Sequence, residues 1–439
     1  MPRIEAVVRD DMCIACGACI EACPEKVVVP TYNKGRGTHE VAVVSPDRCT
    51  GCPAPCDAVC PSIDVRLSEL LPDLSETPAL PVDRRGVVHA IHLGRSSRNQ
   101  FNGTSSSGGI IRALIDQELQ NGSPVICLGA TEGGYAPILA TLPADTARIP
   151  GSIYHSVSFT GAIALLRKAD RPVVLVATPC QLEGIVKYIR QVEHSLEDKV
   201  RLKVGLICGW MHSDHGLRAF ATFKRLPLPV VNAAYRGEDA AGFLKFDSGG
   251  RRYVFNRRVF NSDRDQLDYD ASFGAGVNRL RCRVCEDHVN VPADIAVGDA
   301  WLARHTGAKL SIIAIRSQAG DAALKAIVAT GDVTLESASL ADLEESQSAN
   351  LVFGHTARKL NAFLSQRGYS TPSFDFGESD SAVRVTLPDR IAFRFELLLR
   401  WVLRREWYRA YRALYALRRA ARWVPFLGRL RRLLQDRGA

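Results

Sequence analysis

Eight of the chain's thirteen cysteines fall within its first 60 residues, at spacings that leave the backbone little freedom. Cys13, Cys16, Cys19 and Cys23 follow the pattern C-x2-C-x2-C-x3-C, with Pro24 next. Cys49, Cys52, Cys56 and Cys60 repeat it as C-x2-C-x3-C-x3-C before Pro61, one residue longer in the middle, at Ala54 or Pro55. Thiols this close wrap a tight loop round a shared ligand, so that backbone N–H groups face the sulfurs. Gly17 allows close approach, and Pro24 turns the chain away.

The first run is the pattern of bacterial two-cluster ferredoxins, so residues 1–65 read as a 4Fe-4S dicluster module. In such modules the fourth cysteine of each run ligates the other cluster. Carried over, one cluster takes Cys13, Cys16, Cys19 and Cys60, and the other takes Cys49, Cys52, Cys56 and Cys23. Zinc also uses C-x-x-C pairs, but usually with a longer spacer between them.

Four more cysteines lie between 180 and 301. Val173–Ala177 is a continuous apolar run, as in a strand covered on both faces, and it ends at Thr178-Pro179-Cys180. LKVGLICGW places Cys208 at the end of a second strand, Cys282 and Cys285 form a C-x-x-C pair, and ADIAVGDAW is a strand ending at Gly298-Asp299. Ligands of open α/β sheets bind at such strand ends, so the four thiols are candidates for a third metal centre, iron–sulfur or zinc. Cys127, inside PVICLGA, reads as a small buried strand residue. GVVHAIHLGR, PVICLGA and PILATL read as strands, and GSIYHSVSFTGAIALLRK as a helix. The Ser/Gly cluster before Ile110, Leu114 and Ile115 precedes an amphipathic helix, either as an ordinary cap or as an anion site.

At 439 residues, with 46% hydrophobic and 23% charged residues, two or three globular domains are expected. No signal pattern opens the chain and no run of about 18 apolar residues occurs, so a cytoplasmic protein with metal-bound rather than disulfide-bonded cysteines is expected. The net charge of +9 resides in the tail: residues 391–439 hold thirteen arginines against three acids. Trp401, Trp407 and Trp423 interleave with these arginines and with leucines, which predicts one or two amphipathic helices broken near Pro425 and Gly428. Such a tail either lies on an anionic membrane, peripheral at its inner surface, or docks on the body or a partner protein. Nucleic acid is not expected, because the body offers no basic groove.

Taken together, SSGGIIRAL, ATPCQLEG, LICGW and CRVCEDH…ADIAVGDAW resemble, over about residues 84–335, the coenzyme F(420) hydrogenase/dehydrogenase beta-subunit family. That family consists of FAD-containing iron–sulfur oxidoreductases, includes 7-hydroxymethyl chlorophyll a reductase, and has members encoded among bacterial polysaccharide-biosynthesis functions. The resemblance implies an α+β fold round a mixed sheet. It makes Cys180, Cys208, Cys282 and Cys285 ligands of a 4Fe-4S cluster beside the flavin. It makes Ser107, Gly108, Gly109, Thr178, Pro179, Gln181, Gly298 and Asp299 candidate FAD contacts. Relatives often carry Lys-Tyr where this chain has Ile153-Tyr154, a departure that points away from coenzyme F(420) as substrate.

The implied architecture is a ferredoxin-like module (1–65), a linker (66–83) and a mixed-sheet catalytic domain in two parts (84–170 and 171–340). A variable region (341–387) and the basic helical tail (388–439) follow. The implied activity is an oxidoreductase passing electrons between ferredoxin or coenzyme F(420) and a small-molecule substrate. The alternative is an electron-transfer subunit docking on a partner enzyme. His155, Tyr154 and His212 are candidate general acids near the mouth of the sheet.

Overall fold

Short β-branched runs alternate with amphipathic helices from residue 90 onward, and such runs are stable only when helices cover both faces of the sheet. The computed structural model describes residues 3–72, 85–98, 105–236, 243–256, 263–375 and 383–421. Among these, the strands in chain order are β1 (Val28–Asn33), β2 (Thr38–Val43), β3 (Asp64–Arg66), β4 (Ala90–Ser96), β5 (Val125–Thr131), β6 (Gly134–Ala140), β7 (Val173–Ala177) and β8 (Val200–Leu206). They continue with β9 (Val230–Ala234), β10 (Phe243–Ser248), β11 (Arg251–Asn256), β12 (Ile295–Asp299), β13 (Ser311–Ile315), β14 (Val333–Ala338) and β15 (Ser373–Asp375).

Eight of them form one mixed sheet in the order β14-β4-β13-β12-β8-β7-β5-β6. The neighbours β12, β8, β7 and β5 run parallel, and antiparallel strands flank them. Alternate residues of β7 feed two cores: Val173, Leu175 and Ala177 face one, Val174 and Val176 the other. The Ala162–Lys168 and Pro179–Gln191 helices cover the first face, and the Ile110–Gln120 and Gln318–Ala329 helices cover the second. Cys127 is buried in the second core. A separate antiparallel sheet, β9-β10-β11, packs with the His215–Phe223 helix around Phe220, Phe246 and Tyr235.

Three expectations need correction. GSIYHSVSFTGAIALLRK is helical only over Ala162–Lys168, after Gly161 at φ 97°. Its first part is irregular because it is bonded to the N-terminal module, with Phe159 N–H donating to Ala15 O at 2.9 Å. The start of the 66–83 linker is instead structured: β3 pairs in parallel with β15, and Leu67 and Leu70 of the next turn are buried against Val186 and Val289. The tail breaks at residues 405–407, where Glu406 adopts φ 58°, between the Leu387–Arg404 and Tyr408–Ala421 helices. Trp423, Pro425 and Gly428 lie outside the described residues.

The module and the tail are built into the body. Ile4, Val7 and Met12 share a core with Leu280, Phe363 and Phe393. Leu399, Val402, Leu403 and Tyr411 pack on Ala219, Ala271 and Val277. Glu396, almost fully buried, meets Arg283 at 3.0 Å and Arg400 at 3.1 Å, with Arg418 at 3.8 Å. Burial alone would raise its carboxyl, but Arg283 and Arg400 outweigh it and hold the group at about 2. Among the described residues no helix is long and apolar enough to cross a membrane.

Breaking a buried ion network by neutralising one member leaves uncompensated charge, at a cost of about 3–5 kcal/mol. Glu396→Gln should therefore lower the denaturant midpoint by that equivalent, with the slope of the transition unchanged. A shift no larger than that of an exposed tail substitution would show that the network does not anchor the tail.

Candidate functional site

Cys180 owes its position to the chain around it. Pro179 occupies the first turn of the Pro179–Gln191 helix, and the Gln181 side chain reaches back to accept the Thr178 N–H at 3.0 Å. Thr178, Pro179 and Gln181 are thus engaged in starting this helix at the carboxyl end of β7. Cys180 stands in its first turn, where the helix dipole favours a thiolate. Cys208 follows β8 and is tied to His288: its N–H donates to His288 O, and His288 Nδ1 meets Cys208 O, both at 2.9 Å. Cys282 accepts the Met211 N–H at 3.4 Å, next to the same loop. Asn290, in the left-handed region at φ 62°, donates its amide to Ala177 O at 3.0 Å and Leu206 O at 3.1 Å. It clamps together the ends of the strands that lead to Cys180 and Cys208. Asp287 shapes the intervening turn by accepting the N–H groups of Val289, Asn290 and Val291.

The thiols gather in three foursomes. Cys19 feels the charges of Cys16, Cys60 and Cys13, and then of Cys56 from the neighbouring set; Cys49 and Cys56 feel those of Cys23 and Cys52; Cys208 feels those of Cys282, Cys180 and Cys285. Among the described residues no three His, Cys, Asp or Glu side chains close on one point as a single ion requires. Cys13, Cys16, Cys19 and Cys60 instead line a small cavity walled by Ile4, Val7 and Val41. That arrangement suits a polynuclear group better than a lone zinc. Burial, then the charges of Glu183 and Cys282, pushes the Cys180 thiol up to about 12, and burial likewise pushes Cys60 up to about 12. Such thiols become thiolates only when a metal takes the place of the proton.

Arg279 and Arg281 precede Cys282 in sequence and reach into the N-terminal module. Arg279 donates to Cys13 O at 2.6 Å, and Arg281 donates to Pro61 O at 2.8 Å and to Ser62 Oγ at 3.2 Å. Gly184, one turn beyond Cys180, leaves room for Cys16: a Cβ there would lie 2.9 Å from Cys16 Sγ. Cys49 and Cys52, in contrast, are partly exposed, and Gly51 between them has no neighbour within 4 Å.

The flavin candidates occupy two places along the carboxyl edge of the sheet. Thr178, Pro179 and Gln181 sit at β7, and Gly298 and Asp299 end β12, two strands away. Ser107 adjoins the second group: its hydroxyl donates to Leu310 O at 2.7 Å and meets Ser311 Oγ at 3.1 Å, and Ser311 pairs with Asp299. Gly108 is required by packing, since a Cβ would fall 2.3 Å from Gly94 O. Gly109, at φ 81°, starts the Ile110–Gln120 helix, and the buried Ser105 hydroxyl nearby in sequence has no hydrogen-bond partner among the described residues.

Arg236 joins these places to the candidate catalytic residues, and nothing in the sequence singled it out. Its guanidinium pairs with Asp299 at 3.0 and 3.1 Å, donates to Ser106 O at 2.7 Å and Tyr154 Oη at 3.3 Å, and lies 5.1 Å from the Trp301 ring centroid. His212 N–H donates to Tyr154 O at 2.6 Å. His155 Nδ1 lies 3.0 Å from Tyr235 Oη. Burial, with His39 second, pushes the His155 imidazole down to about 4. A ring so depressed is neutral at neutral pH and fit to relay or accept a proton.

A histidine depressed from 6.5 to about 4 contributes nothing above pH 6.5. Between 6.5 and 4 the unfolded chain takes up a proton that the fold refuses, so stability falls with acidification. Relative to His155→Gln, the native protein should lose about 1 kcal/mol between pH 7.5 and 5.5. Parallel stability-against-pH curves would mean that His155 is solvated.

Comparison with known proteins bears on the same segments. Residues 170–340 match the family described as the C terminus of the coenzyme F(420) hydrogenase/dehydrogenase beta subunit, and residues 12–63 match a 4Fe-4S dicluster domain. The F subunit of the F(420)H(2) dehydrogenase of Methanosarcina mazei is 26% identical over 314 residues, covering 68% of this chain and 80% of the relative. The beta subunit of the coenzyme F(420) hydrogenase of Methanococcus voltae is 24% identical over 256 residues, covering 55% and 80%. Among solved structures, a chain of the F(420)-reducing nickel–iron hydrogenase complex from Methanosarcina barkeri superposes with a TM-score of 0.50 at 18% identity, covering 65% of this chain and 96% of that one. The protein thus joins a segment that matches a 4Fe-4S dicluster domain to one that matches the C-terminal domain of the coenzyme F(420) hydrogenase/dehydrogenase beta subunits.

Proposed function

We propose that this chain is an iron–sulfur flavoprotein oxidoreductase acting on a small molecule, with coenzyme F(420) or a ferredoxin as its electron partner. The observation that carries this reading is the contact of Cys16 with the Pro179–Gln191 helix at Gly184. It sets the inner thiol foursome of the N-terminal module against the helix that carries Cys180, and the charge of Cys180 acts on Cys16. With Cys49 and Cys52 at the surface, the thiols form a series leading from outside to the mouth of the sheet. Cys13, Cys16, Cys19 and Cys60 would hold one 4Fe-4S cluster, Cys49, Cys52, Cys56 and Cys23 the second, and Cys180, Cys208, Cys282 and Cys285 the third. Such clusters supply one-electron transfer, and FAD supplies the exchange between one- and two-electron chemistry.

The start of the Ile110–Gln120 helix, the Ser105 hydroxyl and Arg236 would hold the anionic part of FAD, with Asp299 fixing the guanidinium. Tyr154, held by Arg236 and by His212, is placed to orient a substrate oxygen, and the His155–Tyr235 pair to pass it a proton. A second reading, an electron-transfer subunit docking on a partner enzyme, agrees with both relatives being named as subunits.

Anaerobically purified protein should contain about twelve irons and about one flavin per chain, and Cys208→Ala should lose about four irons while the rest remain. About eight irons in the native protein would remove the third centre, and zinc without flavin would overturn the reading. Turnover of a small substrate by the purified chain alone would exclude the subunit reading.

A further inference from the structure

We propose that the outward stripe of the Leu387–Arg404 helix, continued by Arg405 and Trp407, docks on an anionic membrane surface. The helix is divided cleanly. Phe393, Glu396, Leu399, Arg400, Val402 and Leu403 are buried against the body. Leu387, Ile391, Leu398, Trp401 and Trp407 remain 42–70% exposed. Positions 387, 391, 394, 398, 401 and 405 fall at alternating steps of four and three, so they share one face, and Arg394 and Arg405 lie in phase with its apolar residues.

The charge on this face has one sign. Glu396 lies on the opposite side among its arginines, Asp389 pairs with Lys359 at 3.0 Å, and Glu406 pairs with Arg218 at 2.7 Å. Arg405 lies 3.6 Å from the Trp401 ring centroid, and the Trp401 and Trp407 rings meet edge-on at 5.7 Å. Beyond the described part, residues 422–439 add five arginines and one aspartate. Tryptophan is the side chain that settles at the boundary of headgroups and acyl chains, and arginine stems reach from there to lipid phosphates. A face of aliphatic residues, tryptophan and unopposed arginine therefore complements anionic lipid. This placement is independent of which substrate the body reduces.

The test uses full-length, cluster-loaded protein and co-sedimentation with vesicles of phosphatidylglycerol plus phosphatidylcholine, or of phosphatidylcholine alone. We expect about tenfold stronger partition onto the anionic vesicles, weakened by salt, with a blue shift of tryptophan emission. The double variant Trp401→Ser, Trp407→Ser should lose about tenfold of that partition at unchanged iron content and unchanged denaturant midpoint. Arg394→Gln with Arg405→Gln, which leaves the apolar contacts in place, should abolish the preference for anionic over neutral vesicles. Absence of binding by the native chain, equal binding to both vesicle types, or undiminished binding by the tryptophan variant would each overturn the proposal. Self-association without vesicles that the tryptophan variant abolishes would overturn it in favour of a protein interface.

Discussion

Three buried guanidiniums in five residues hold this molecule together. Arg279 and Arg281 precede Cys282 and Arg283 follows it, and an interior that takes in charge must supply partners for it. The partners come from every other part of the chain: the carbonyls of Cys13 and Pro61 for the first two, and the Glu396 carboxylate for the third. Arg281 also lies 3.7 Å from Glu183, a fully buried carboxyl that burial pushes up despite this neighbour. One short segment thus fixes the N-terminal module, the Cys180 helix and the tail relative to the third thiol foursome. Neutral side chains of the same size would not impose that geometry, because apolar packing tolerates sliding that a bonded guanidinium does not.

The sheet supplies the second constraint. Parallel strands end together, and the loops leaving β7, β8 and β12 bring Cys180, Cys208 and Asp299 to one edge although they are far apart in sequence. Asn290 makes that edge rigid by bonding two strand-end carbonyls at once, and Gln347 does the same from outside through Asp299 O at 2.8 Å. The chemistry of the mouth is then set by neighbours: a neutral imidazole against a phenol at His155–Tyr235, and a guanidinium shared between a carboxylate and a second phenol at Arg236.

How much of this was legible depended on how local its cause was. Cysteine spacing is a local signal and marks the N-terminal dicluster segment, as short apolar runs mark β7 and β12. Ile110, Leu114 and Ile115 share a buried face because their period alone demands it. Where a partner lies far along the chain, the sequence was silent. Nothing near Arg236 announces Asp299, 63 residues away, and nothing near Glu396 announces Arg283, 113 residues away. Residues 151–161 read as helical, yet the Phe159 N–H is claimed by Ala15 O and the Ser156 hydroxyl by the His39 N–H. The break at Glu406 carries neither glycine nor proline, so only the packing of Trp407 and Tyr408 reveals it.

The pairing of β3 with β15 has a consequence for how the molecule is made. Residues 64–66 find their strand partner only at 373–375, Asp10 accepts the Ser370 N–H at 2.7 Å, and Ile4 and Val7 share their core with Phe363 and Phe393. A ribosome delivers the module first, but part of the surface that buries it emerges some three hundred residues later. During that interval eight thiols are committed to tight loops without their apolar cover. The first segment synthesised is therefore among the last to have all of its native surroundings.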